Sequence, residues 1–265
     1  MKLNRYSILS GKQMLLLLAA FFAVSALLVL AAMSLPDAIR TITLEPSAKL
    51  PINCTDRARG VVSLTFDAAS GDESVDALCD ILTKNNITAT FFVTGEWADR
   101  YAESLSKLHK SEQEIMNASD GRMSLVALKR DRVIKRINAG CDKIQAVTGK
   151  RPMFFRPNDG QYDERLLDTI KMLKMFPIGC DVDSFDIKGL DKEGIIKRVL
   201  SLTSTGSIIK FSVDGKFTVQ ALPEIIGKLK AKDISFIPVS QMVYTAEDYA
   251  LDRDGRQILL TYTGE

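Results

Sequence analysis

Residues 60–67 read GVVSLTFD and residues 88–93 read TATFFV. Each is a short apolar, β-rich run, and between them Glu73–Lys84 (ESVDALCDILTK) spaces its apolar residues as one face of a helix. A buried strand, a helix and a second buried strand in that order build parallel pairing, because the helix returns the chain to the starting edge of the sheet. Working outward, the same alternation predicts strands at Val61–Phe66, Ala89–Val93, Glu114–Asn117, Met153–Arg156, Pro177–Val182, Ser207–Phe211 and Ser235–Val239. Helices are expected at Glu73–Lys84, Trp97–His109, Leu125–Val147, Glu164–Met172, Lys192–Leu202 and Val219–Lys230. The fold class is therefore α/β, a parallel sheet covered by helices and either open or closed into a barrel.

The chain has 265 residues, 46% hydrophobic and 26% charged, which is the composition of a folded domain. Its net charge of +2 comes from the N-terminus, where Lys2, Arg5 and Lys12 meet no acid; the remainder carries −1. A neutral body has no electrostatic footprint for nucleic acid. The single histidine, His109, excludes any two-histidine metal site within one chain. It lies in a polar helical run and is expected to be solvated.

Residues 14–33, MLLLLAAFFAVSALLVLAAM, contain no charge and are long enough as a helix to cross the roughly 30 Å hydrocarbon layer. The basic flank before them places residues 1–13 in the cytoplasm and the body outside. Cleavage after Val29-Leu30-Ala31 is the competing outcome; an uncleaved anchor is expected, since a signal peptide has a shorter apolar core. Residues 34–59 read as a Pro-punctuated linker, 60–245 as the domain and 246–265 as a tail. Cys54, Cys79, Cys141 and Cys180 show no paired spacing, and Cys79 and Cys141 fall at apolar helix positions, so buried free thiols are expected.

Parallel α/β sheets place chemistry at the carboxyl ends of their strands. Reading the residues there gives Asp67, then Asn117-Ala118-Ser119-Asp120, then Arg156-Pro157-Asn158, then Asp181-Val182-Asp183-Ser184-Phe185-Asp186, then Ser212. Singly, such aspartates are helix caps or loop carboxylates. Several converging with an arginine on one rim form a candidate site.

The ordered segments SLTFD, ITATFFVTGEWADRY, FFRPNDG, DVDSFD and GSIIKFSVDGKFTVQALPEIIGKLK resemble the motifs of the polysaccharide deacetylases, the NodB homology family or carbohydrate esterase family four. The resemblance runs from about Gly60 to Met242, and TFD followed by Gly71-Asp72 is similar to the branch found in spore-forming bacteria. It implies a distorted (β/α) barrel behind one N-terminal transmembrane helix. It also implies a divalent metal, usually zinc, held by one Asp and two His, with a first-motif Asp as base and a last-strand His as acid, acting on N-acetylated sugars.

Carried over residue by residue, the base position holds Asp67 and its partner Arg156 is present. Asp183 and Asp186 occupy the positions that tune the acid, while the acid position itself is Ser212 and the following Trp position is Ile187. The three metal positions hold Ala68, Ala118 and Arg122, so no metal and no cofactor is expected. Pro157, Asn158 and Arg122 fall on the substrate-binding rim. The expected function is a membrane-anchored, extracytoplasmic protein that binds cell-wall glycan such as peptidoglycan without zinc-dependent deacetylation, its membrane partner engaged through residues 14–33. Two alternatives stay open: an active deacetylase using another metal held by Asp67, Asp72 and Asp120, and a structural partner-binding domain.

Overall fold

The computed structural model describes residue 12 and residues 49–57, 60–119, 123–245 and 248–260. The expected transmembrane helix at 14–33 lies outside the described residues, among which no helix is long and apolar enough to cross a membrane. In chain order the strands are β1 (Cys54–Thr55), β2 (Val61–Ala68), β3 (Thr90–Val93), β4 (Glu114–Asn117), β5 (Phe154–Phe155), β6 (Phe176–Pro177), β7 (Val182–Asp183), β8 (Ile208–Ser212), β9 (Ser235–Phe236), β10 (Tyr249–Leu251) and β11 (Arg256–Leu259). The helices are α1 (Val75–Lys84), α2 (Gly95–Arg100), α3 (Ala102–Lys110), α4 (Arg130–Thr148), α5 (Glu164–Met172), α6 (Lys192–Leu202), α7 (Thr218–Lys230) and the short α8 (Val239–Met242).

The main sheet is parallel throughout, in the order β6-β5-β4-β3-β2-β8-β7, with β9 beside the start of β2. It is a curled half-barrel covered by helices, consistent with a (β/α) barrel of the NodB type. Side-chain alternation divides its two faces. Phe91, Val93, Ile209 and Phe211 pack outward with Leu78, Leu105, Ile195 and Leu222 of the helices, whereas Phe92, Phe154, Ile178 and Ile208 form a second cluster inside the curl. On β2 the outward row is Val62, Leu64 and Phe66, leaving Ser63, Thr65 and Asp67 on the inner side.

Three expected elements divide. The helix at Trp97–His109 breaks at Tyr101, whose backbone leaves the helical region (φ −121°, ψ 49°). The stretch Leu125–Val147 becomes a 3-10 turn at Leu125–Ala127 and then α4, separated by Lys129 in an extended conformation. Helix α4 stops at Gly149, left-handed at φ 71°. The strand at Pro177–Val182 becomes β6 and β7, because another segment inserts there. The Ile52 amide donates to the Pro177 carbonyl and the Gly179 amide to the Ile52 carbonyl, each at 2.8 Å. A Cβ at Gly179 would lie 2.0 Å from Asn53 Oδ1, so any larger residue would require the Asn53 side chain to move.

The inserting segment corrects the expected linker of 34–59, and its partner corrects the tail of 246–265. β1 pairs in parallel with β11, which pairs antiparallel with β10. From there the chain reaches β8, where the Thr55 amide donates to the Gly206 carbonyl at 3.0 Å. Residues 52–55 thus run from β6 to the start of β8 across the side where the sheet path ends. Gly206 is left-handed (φ 83°), and a Cβ there would sit 1.9 Å from the Thr55 carbonyl oxygen. Ile52 is legible only as an apolar residue after Pro51; its partners lie too far along the chain for local periodicity to register. All four cysteines are free, with Cys54, Cys79 and Cys141 buried and Cys180 half-buried, and His109 is exposed near the end of α3.

Candidate functional site

The carboxyl ends of β2, β4, β5, β7 and β8 converge as the sequence expects. Asp67 stands beside Ser212 in the β2–β8 register. From the end of β5, Arg156 reaches across the inside of the curl, only 3% exposed. Its Nη1 donates to Asp67 Oδ1 at 3.0 Å and to Thr65 Oγ1 at 2.9 Å, its Nη2 to the Gly179 carbonyl at 2.7 Å, and its Nε to the Ile178 carbonyl at 3.3 Å. The guanidinium also lies 4.1 Å over the Phe92 ring. This arginine is a fixed positive charge wired to three strand ends, with Asp67 as its counter-ion at 17% side-chain exposure.

The support positions are satisfied differently. Asp186 is buried, and its Oδ2 accepts from the Ser212 amide at 2.7 Å and from Thr218 Oγ1 at 2.6 Å. Burial pushes its carboxyl above the ordinary range despite both bonds. Burial would also raise Asp183, but the Phe185 amide and the Lys210 ammonium outweigh it and hold that carboxyl low. Ser212 Oγ donates to Asp214 Oδ1, and Ser70 Oγ to Asp214 Oδ2 at 2.9 Å. At the acid position there is therefore a hydroxyl committed to a carboxylate, which has no proton to give near neutral pH. Pro157 is buried under the rim and Asn158 is exposed on it.

The metal positions are filled by carbon. Ala68 and Ala118 are 1% and 2% exposed, the first in the helix-side cluster and the second in the inner one. Arg122 and Asp120 lie outside the described residues. The alternative ligand Asp72 accepts from Ser104 Oγ of α3 at 2.6 Å. Among the described residues no group of three His, Cys, Asp or Glu side chains is placed to share a metal ion. The donor set does not fit the zinc ion that the family resemblance implies, because methyl groups stand at two of its three ligand positions.

Lys210 is a site residue that strand ends alone do not reveal. In IIKFS the two-residue period puts Ile208, Lys210 and Ser212 on one face, and the first of these lies in the inner cluster. Its Nζ meets Asp183 Oδ2 at 2.9 Å. Burial would lower the ammonium, but Asp183, with Cys180 and Asp67 nearby, raises it overall, so it remains a cation. Alternation in VVSLTFD likewise marks Thr65 as the inner neighbour of Asp67. A groove of about 280 Å³ opens beside this cluster, lined by Ser70, Thr94, Glu96, Arg100, Tyr101 and Asn158 among others. The whole can bind polar groups through fixed charges of both signs, and it lacks the parts for activating water with a metal.

Asp186 supports a prediction. A carboxyl raised in the folded state binds its proton more tightly there than when unfolded, so its contribution is largest at pH below 3.8 and is lost as pH rises through the folded value. Asp186→Asn keeps one acceptor oxygen for both donors and never ionises. The melting temperature of the variant relative to wild type should therefore rise between pH 3.5 and pH 7, as read by circular dichroism, where both values are roughly chosen to bracket that titration. A pH-independent difference would refute the burial argument.

The chain is similar to proteins of known family and structure. The model of the polysaccharide deacetylase family matches residues 55–177. Over 187 residues the chain is 31% identical to the peptidoglycan-N-acetylmuramic acid deacetylase PdaC of Bacillus subtilis, covering 71% of this chain and 39% of that protein. Over 191 residues it is 28% identical to the peptidoglycan-N-acetylglucosamine deacetylase of Bacillus cereus, covering 71% of this chain and 70% of that one. The solved structure of PdaC superposes with a TM-score of 0.64 at 31% identity, covering 71% of this chain and 92% of the solved one. A CE4 family pseudoenzyme from Bacillus anthracis superposes with a TM-score of 0.71 over 81% of this chain and 74% of its own, at 21% identity, a likeness of fold.

Proposed function

The chain belongs to the polysaccharide deacetylase family, and from that membership we propose that it is an extracytoplasmic, membrane-anchored binder of cell-wall glycan that does not perform zinc-dependent deacetylation. One observation carries the proposal: Asp67 and Arg156 keep their contact at the centre of the rim, while the neighbouring ligand positions are alanines. Relatives named as peptidoglycan deacetylases support wall glycan as the partner. Charged side chains of both signs around the groove suit a polar, hydroxyl-rich chain.

Sedimentation with purified peptidoglycan tests it. Asp183→Ala, which frees Lys210, and Arg122→Ala should each lower retention several-fold, whereas Lys230→Ala on α7 should not. Equal retention of all three folded variants would favour the partner-binding scaffold. Anchoring is tested separately, on the charge-free run of residues 14–33. Protease added to intact protoplasts should digest the body, and protection until lysis would reverse the topology.

A further inference from the structure

Residues 129–136 read KRDRVIKR, five bases and one acid in a body whose net charge, this segment included, is −1. They form the entry and first two turns of α4. Where they stand follows from Asn117 at the end of β4, whose Nδ2 donates to the Ile137 carbonyl at 2.8 Å and lies 3.1 Å from Cys141 Sγ. Residues 137–141 are therefore level with the rim of the sheet. Because α4 runs antiparallel to β4, the turns before Ile137 rise beyond that rim by roughly 10 Å, at 1.5 Å per residue.

Lys129, Arg130, Arg132 and Lys135 are exposed, and among the described residues none of their side chains has a hydrogen bond or ion pair. Arg136 is half-buried and donates to the Met123 carbonyl at 3.0 Å. The arrangement works against the helix. Cations in a first turn oppose the macrodipole, and like charges three and four apart repel. Lys129 at the cap makes no side-chain bond to the free amides. By contrast, α5 and α6 start on Asp163 and Asp191, whose carboxylates accept from Leu166 and Gly194. A cluster kept at a cost to its own helix, and unpaired, is set for an outside anion.

Lys129, Arg132, Lys135 and Arg136 fall within one stripe of the helix, with steps of about 5–6 Å between neighbours. A row suits a linear polyanion better than a plane of headgroups. Of the apolar residues of these turns Val133 and Ile137 are buried and Ile134 is half-buried, so no continuous apolar stripe is offered to a bilayer. We propose that this face of α4 docks a soluble linear polymer of phosphodiester-linked units beside the mouth of the barrel. The proposal does not depend on glycan occupying the groove.

Fluorescently tagged poly(glycerol phosphate) titrated with the full-length chain in non-ionic micelles tests it. Affinity should fall with salt, and Lys129→Gln/Arg132→Gln/Lys135→Gln should weaken it at least about tenfold and lower the log–log salt slope by about three. That variant should melt at or above the wild-type temperature, since it relieves the helix dipole. Lys171→Gln/Lys174→Gln/Lys232→Gln, with equal net charge and equally exposed positions, should bind as wild type. Equal losses in both variants would make the effect one of net charge and overturn the proposal. So would no binding of the polymer together with a patch-dependent preference for phosphatidylglycerol over phosphatidylcholine vesicles, which would assign the face to a membrane.

Discussion

Arg156→Ala should cost about 3–5 kcal/mol, the range for breaking a buried ion pair on one side. The loss has identifiable parts. Asp67 is left without its counter-ion, the Gly179 carbonyl loses a donor at 2.7 Å, and the Phe92 ring loses the cation above it. The Ile178 carbonyl keeps the Tyr162 hydroxyl at 2.8 Å, so it stays satisfied. Asp67→Asn should cost only about 1 kcal/mol, because the amide oxygen still accepts from Nη1. For a domain of this size the two variants should melt lower by about 10 °C and about 3 °C. Melts of both within error of wild type would mean that the pair contributes as little as an exposed one.

Ala68→Asp, Ala118→His and Arg122→His together should turn a chain indifferent to zinc into one stabilised by it. Ala68 and Ala118 lie at the ends of β2 and β4, two strand spacings or about 10 Å apart. The family resemblance assigns both positions to one ion, and the test asks whether ligands restored there can share it. Without metal the variant should be less stable than wild type, since a carboxylate and a ring enter sites packed with carbon. At a free zinc concentration of 100 times its Kd it should regain about 2.7 kcal/mol, read as a zinc-dependent rise in melting temperature absent from wild type. One tightly held zinc per wild-type chain would refute the loss of the site.

Much of this architecture is legible in the sequence where the cause is local. β4, α5 and α6 fall where periodicity predicts them, because each is bounded by a turn or a capping aspartate within a few residues. Asp67, Arg156, Asp183, Asp186 and Ser212 converge as strand-end reading expects, since a parallel sheet brings all such ends to one rim. What local reading misses is set by partners far along the chain. β1, β10 and β11 carry almost no pattern, being only two to four residues long. Lys210 looks like a surface lysine until the inner face of β8 is known. The break in Pro177–Val182 is caused by Ile52, a residue with no sequence neighbour there.

That last segment also sets an order of events during folding. The Arg256 guanidinium reaches the Thr55 carbonyl across 201 residues of chain, and β1 pairs with β11 while Cys54 also bridges Ser207. Residues 52–55 are synthesised early and yet complete their pairing only after residues 256–257 exist. Until then the bonds from Ile52 to Pro177 and from Thr55 to Gly206 lack the support of β11. This pairing joins the β2–β8 ladder as a non-local step, and such contacts are slow to form. A nascent chain halted before residue 256 would hold a nearly finished rim in a body that has not yet closed.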